Sequence, residues 1–246
     1  MTMKKKLVAG LAVGCVVLGL AELASANLLF DRGLPTKNLN NAAGSNRSNV
    51  AWAFGADNQG TWLAGDDFLI GGVGSFLVNT IRVWAANDDQ QLDLWLGASG
   101  GTFTKYLSTS STSATYANGE TYQGSSGNYR GFRQYDFDLN MVVSGATTYQ
   151  FFLDGSSSPY TFLHSSNAAL GGSPAQGADD HMLYALVSSG GLTDIGSWSS
   201  GDTGWGWDKG SDANIQVYGS PVPEPATMLL MSTGLVGLVG TRRKKK

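Results

Sequence analysis

The residues best suited by type and spacing to do chemistry are three tryptophans and a set of aspartates. Trp198, Trp205 and Trp207 lie in a Gly-rich stretch that includes Gly204-Trp205-Gly206-Trp207-Asp208. In an extended chain, residues two apart share a face, so Trp205 and Trp207 would present two rings side by side. Flat indole rings stack on the apolar faces of sugars, and a neighbouring Asp or Asn binds hydroxyls. That is the chemistry of a carbohydrate-binding surface. The alternative is that the pair closes the end of a core ahead of the last strand. The acidic groups are Asp57-Asn58, Asp88-Asp89, Asp179-Asp180, and Asp208 with Asp212 and Asn214. They supply the hard oxygen donors that Ca²⁺ takes. None follows the EF-hand order of alternating ligands, central Gly and terminal Glu. Asp and Asn are also ordinary turn formers, which accounts for them without a metal. No cofactor is expected, and Ca²⁺ is the one ion these residues suit.

Catalytic patterns are not present in the sequence. There is no G-x-S-x-G nucleophile elbow. Residues 27–220 hold two histidines, His164 and His181. Asp180 and His181 are adjacent, so on a strand they point to opposite faces and do not form a triad pair. Both histidines are expected at the surface or half-buried. Asp202-Thr203-Gly204 spells the aspartic-protease triplet, but Ser200-Gly201 precede it, Trp205 follows it, and no second copy exists. Glycoside hydrolysis needs two carboxylates, one of them with a raised pKa. Glu120 lies in a polar tract, and nothing in the sequence selects a pair among the aspartates. No H-E-x-x-H or paired-Cys site for zinc occurs. The expectation is a non-enzymatic protein, with a polysaccharide hydrolase the least supported alternative.

The elements that must position these residues are strands. The chain has 246 residues, 14% charged, with 34 Gly and one Cys. Scarce charge and abundant Gly argue against helix bundles and coiled coils. A single Cys excludes a disulfide scaffold. The runs FLVNTIRVW (76–84), LDLWL (92–96), QYDFDL (134–139), TTYQFFL (147–153), HMLYALV (181–187) and IQVY (215–218) are rich in β-branched and aromatic residues or alternate apolar with polar. Residues 50–54 and 68–70 are shorter candidates. Gly, Asn, Asp and Ser clusters bound each run, as in an all-β sandwich. Residues 181–187 are also the best helical candidate. Trp84 and Trp95 are expected in the core. Residues 108–129 are almost wholly Ser, Thr, Gly, Asn and Tyr, a polar loop or ragged outer hairpin that cannot fill a core. One domain over residues 27–220 is expected. It holds 8 basic and 17 acidic side chains, a net of −9, although the whole chain is only −3. A body so acidic repels phosphate backbones, which excludes nucleic acid as a partner.

The missing positive charge sits at the two tips. Residues 1–26 combine a basic start (Lys4, Lys5, Lys6), an apolar run from Leu7 to about Leu20, and Ala24-Ser25-Ala26, a small-residue cleavage site for signal peptidase. Cleavage after Ala26 would carry Cys15 away with the signal helix. At the other tip, Pro223-Glu224-Pro225 breaks regular structure. The apolar stretch 226–241 follows, then Arg242, Arg243, Lys244, Lys245 and Lys246. As a helix the stretch would span about 24 Å, short for a hydrocarbon core of about 30 Å but within what flanking residues and local thinning accommodate. The basic cluster would stay cytoplasmic.

This three-part tail over residues 221–246 resembles the PEP-CTERM sorting signal of Gram-negative bacteria. Pro223, Glu224 and Pro225 match its motif, Arg242 and Arg243 begin its basic cluster, and Gly234, Gly237 and Gly240 mark its membrane helix. The resemblance implies recognition by exosortase, a membrane-embedded cysteine transpeptidase. It implies transient inner-membrane anchoring and then transfer to the cell envelope or extracellular matrix, in association with exopolysaccharide. An ordinary C-terminal anchor is the plain alternative. Gly65-Asp66-Asp67-Phe68, Thr80-Ile81-Arg82-Val83-Trp84 and Leu94-Trp95-Leu96 with Gly100-Gly101 also look like the opening strands of sandwich domains carried by such proteins. That likeness implies a jelly-roll-like β-sandwich and no catalytic residue.

Overall fold

The computed structural model describes residues 27–35, 49–54, 62–86, 90–114, 132–155, 160–166, 182–188, 190–197 and 212–223. Every regular element among them is a strand. In chain order these are β1 (Asn27–Asp31), β2 (Asn49–Phe54), β3 (Trp62–Leu69), β4 (Ser75–Ala86), β5 (Asp93–Ala98), β6 (Thr104–Leu107), β7 (Ser110–Ser113), β8 (Phe132–Ser144), β9 (Thr148–Asp154), β10 (Tyr160–Ser166), β11 (Leu183–Ser188), β12 (Gly191–Ser197), β13 (Asp212–Ala213) and β14 (Ile215–Val222). All pairings are antiparallel.

The strands form two open sheets. The six-stranded sheet runs β12-β11-β3-β9-β5-β6. The eight-stranded sheet runs β1-β14-β4-β10-β13, with β8 on the other side of β4, β7 beside β8, and β2 beside β10. One apolar core lies between the sheets. Ala64, Phe68, Leu94, Leu96, Phe151 and Leu153 line it from one side, and Val78, Ile81, Val83, Tyr135, Phe137, Ile215 and Val217 from the other. These residues recur at every second position because strand side chains alternate faces. In β4 the alternation breaks once. Tyr218 pairs with Thr80 but Gly219 pairs with Val78, so Asn79 is an extra residue, a bulge. The bulge lets Val78 and Ile81 share the core face although they are three apart.

This arrangement bears out the all-β, sandwich-like expectation and extends most of the predicted strands. Residues 183–188 form a strand that pairs with β3 and β12, which settles the helix alternative for that run. Ser110–Ser113 pair with the start of β8, so the polar tract begins as an outer hairpin arm. Residues 115–131 lie outside the described residues. So do 1–26 and 224–246, which include both expected terminal helices. Among the described residues no helix is long and apolar enough to cross a membrane.

The tryptophans depart from expectation. Trp84 is buried, but Val83 and Ala85 take the inter-sheet side. Trp95 alternates with Leu94 and Leu96, so it lies on the outer face of the six-stranded sheet. There it packs with Phe103 against Leu63, Phe152, Leu183 and Ala185, a second and smaller apolar cluster.

Candidate functional site

The chain reaches its C-terminal tail through β14, so the site is built from what holds that strand. β14 is flanked by β1 on one side and β4 on the other. Ile215 and Val217 face the core and are fully buried. Pairing with β4 runs on to Pro221 and Val222, opposite Phe76 and Ser75. Among the described residues β1 reaches only to Gly219, so Pro221 deletes no described ladder bond on that side. Pro223 is exposed and follows directly. β14 thus ends directly ahead of Pro223, where the motif begins.

The opposite end of β14 is held by a polar clamp. Asn214 Nδ2 donates to the carbonyls of Gly33 (3.2 Å) and Arg32 (3.4 Å). Its Oδ1 is therefore the acceptor in the 2.7 Å contact with His164 Nδ1, which must carry the ring proton. The Asn214 amide also donates to the His164 carbonyl at 3.1 Å. His164 is fully buried, where the sequence suggested a surface or half-buried ring. Burial pulls its pKa down from 6.5 to about 4, with the Asn214 contact opposing.

Beside the clamp, Arg32 and Asp66 are buried together. Asp66 lies between the inward-facing Ala64 and Phe68, so it points between the sheets. Arg32 Nη1 stands 2.7 Å from Asp66 Oδ2 and 3.9 Å from Asp212 Oδ1, and its Nη2 donates to the Asp67 carbonyl at 2.7 Å. The Ala213 amide donates to the same Asp66 oxygen. The guanidinium also lies over the Phe30 ring, 5.3 Å from its centroid. Burial pushes the Asp66 carboxyl well above the ordinary carboxylate range, Arg32 draws it down, and Asp212 pushes it up again. The cluster ties β1, β3 and β13 across the two sheets. Asp212 and Asn214, suggested from sequence as Ca²⁺ ligands, are thus engaged with a guanidinium, an imidazole and backbone carbonyls.

A second charged group lies on the outer face of the six-stranded sheet. Asp93 on β5 pairs in register with Asp154 on β9. Lys105 Nζ lies 2.5 Å from Asp93 and 3.3 Å from Asp154. Trp95 Nε1 donates to Asp154 at 3.1 Å, and the ammonium sits 5.6 Å from the Trp95 ring centroid. Burial raises the Asp154 pKa against the pull of Trp95 and Lys105. For Lys105, desolvation acts downward, but the hydrogen bonds and charges of Asp93 and Asp154 together raise its pKa. Two carboxylates share one ammonium here, and the ring face a sugar would use carries that ammonium. Among the described residues, no group of three or more His, Cys, Asp or Glu is placed to hold a metal ion.

Of the residues singled out from sequence, Pro223, Asp212 and Asn214 are placed as above. Ala24, Ala26, Trp198, Trp205, Trp207, Asp179, Asp180, Asp208, Glu224, Pro225, Arg242 and Arg243 lie outside the described residues, as do Asp57, Asn58, Asp88 and Asp89. Sequence reasoning missed Arg32, Asp66, His164, Asp93, Lys105 and Asp154. The one available signal was Asp66-Asp67 directly ahead of Phe68, two acids inside an apolar run.

Residues 221–244 match the PEP-CTERM protein-sorting motif. No curated protein and no solved structure matches the chain significantly. The matched span begins at Pro221, inside β14, so the last two residues of the folded sheet are the first two of the signal.

Proposed function

We infer that this chain, marked by a PEP-CTERM signal for exosortase and the cell surface, is a non-enzymatic cell-surface or matrix protein. Its β-sandwich is the cargo that the signal delivers into an exopolysaccharide-rich matrix. The observation that carries the reading is the junction at Val222. The ladder ends at Val222, directly before Pro223-Glu224-Pro225, so cutting at or after the motif removes none of the described strands. The body then keeps its core when the tail is lost. Two further features support a passive body. The Arg32 and Lys105 clusters each bind acids to a cation, an arrangement suited to cross-linking strands. The Arg32–Asp66 pair is buried, so removing one partner would leave an uncompensated charge.

The route uses signal peptidase at Ala24-Ser25-Ala26 and exosortase at the tail, with a transient stay in the inner membrane. Mass spectrometry of the surface-located protein from a producing cell tests it. A C-terminus within or just after residues 223–225 is expected. An intact Lys246 on the mature protein would overturn it. A carbohydrate-binding role on the same route rests on Trp198, Trp205 and Trp207. If it holds, a Trp205→Ala, Trp207→Ala double variant loses retention on the host's own exopolysaccharide.

A further inference from the structure

The sorting signal leaves the body at an end unlike the rest of its surface. Val222 pairs with Ser75, and Ser75 pairs with Ser144. The β3–β4 loop and the β8–β9 turn therefore meet beside the exit. Gly145 and Ala146 amides donate to the carbonyls of Gly74 (2.8 Å) and Ile70 (3.0 Å). The β5–β6 turn joins them through Ser99, whose amide donates to Thr148 at 3.0 Å. Gly72 and Gly74 hold φ of 98° and 102°, which a side chain would resist, and between them stands Val73.

Val73 is 94% exposed, and Val142 (60%), Leu69 (42%) and Val222 (37%) stand at the same end. They are half of the eight exposed large apolar side chains among the described residues. Residues 69–80, 97–104, 139–149 and 219–223 contain no Asp, Glu, Lys or Arg. A body of net charge −9 thus has an end that, among the described residues, is uncharged and apolar. Both tips join the body there, because Asn27 pairs with Gly219. Such clustering marks a contact surface.

Chain length supplies the partner. Only Pro223, Glu224 and Pro225 separate Val222 from Ala226, where the apolar stretch begins. Four Cα steps reach about 14 Å at most. The headgroup layer on each side of a bilayer takes up about 5–8 Å of that. At an end this close to lipid, apolar side chains gain by entering the interface. We propose that this end is a lipid-facing surface. While the signal is attached, Val73, Leu69 and Val142 rest in the headgroup region of the membrane that holds residues 226–241. The proposal rests on the reading that this stretch is membrane-inserted. Cleavage of the signal then releases the body from lipid as well as from its anchor.

The test places nitroxide labels on the full chain in a Cys15→Ser background, reconstituted in phosphatidylethanolamine–phosphatidylglycerol vesicles. Labels go on Val73→Cys, Val142→Cys, Ser232→Cys, and Leu34→Cys at the opposite end, 52% exposed. Oxygen collects in lipid and a nickel chelate stays in water, so their relaxation effects report contact. The expected result is a shift from nickel towards oxygen at Val73, Val142 and Ser232, with Leu34 favouring nickel. A lipid signal at Ser232 with Val73 as wet as Leu34 overturns the proposal and leaves the sorting reading standing. A wet Ser232 overturns the membrane-inserted reading and the proposal with it. Spin–spin broadening at Val73 without oxygen contact assigns the patch to a second copy and also overturns it.

Discussion

His164 gives the most quantitative test of the clamp that seats β14. The ring is fully buried, and burial pulls its pKa from 6.5 down to about 4. In the unfolded chain it returns to about 6.5. Between those values the unfolded chain binds a proton that the folded one excludes, so stability falls as pH falls. Folded stability lost through this ring is about 0.2 kcal/mol at about pH 7 and about 2 kcal/mol at about pH 5. Acidification over that range therefore costs about 1.8 kcal/mol. Asp66 and Asp154 work with the opposite sign. Their folded pKa values are raised, so the penalty for ionising them fades as pH falls towards their ordinary values. The quantity to measure is thus a difference between two proteins. Denaturant unfolding of wild type and His164→Gln should be followed at several pH values with the m-value held common. Loss of the contact to Asn214 costs the variant about 1–3 kcal/mol at neutral pH. Its profile should then flatten, the gap to wild type narrowing by about 1.8 kcal/mol at the acid end. Parallel profiles would refute the argument, because they would mean that the ring titrates alike in both states.

Three further outcomes are expected. Arg32→Met leaves Asp66 and Asp212 buried without their cation and should lower unfolding free energy by about 3–5 kcal/mol, read from the denaturant midpoint. An added Cβ at Gly65 would overlap the Phe151 carbonyl oxygen and crowd Phe152, so Gly65→Ala should cost about 1–3 kcal/mol in the same assay. A chain ended after Val222 should keep its sheet spectrum and protease resistance. One ended after Asn214 loses β14, with Ile215 and Val217, and should lose both.

The strands that sequence shows well are those that line the core between the sheets. In β4, β5, β8, β9 and β14, apolar residues recur with a period of two on the face that meets it. The weakest patterns belong to β7, Ser-Ser-Thr-Ser, expected only as part of a loop or ragged outer hairpin, and to β13, two residues long. Such strands form because a stronger neighbour offers unpaired backbone groups, and a neighbour in space leaves no local mark. Trp95 looked like core because its neighbours are apolar, yet its indole N–H needs an acceptor. Asp154, 59 residues away, supplies it.

By itself the sequence determined the sorting tail. A PEP-CTERM motif is read as a linear pattern of proline, apolar length and charge, with no need for the rest of the fold. It also determined fold class, because strand alternation is local. Tertiary structure decided what the body's polar residues do. Arg32 meets Asp66, His164 meets Asn214, and Lys105 joins Asp93 to Asp154 only after two sheets align strands distant in the chain. It likewise decided that the uncharged loops and the exit of the signal share one end. Register between β4, β8 and β14 sets that, and register is a property of pairing, which no single strand contains.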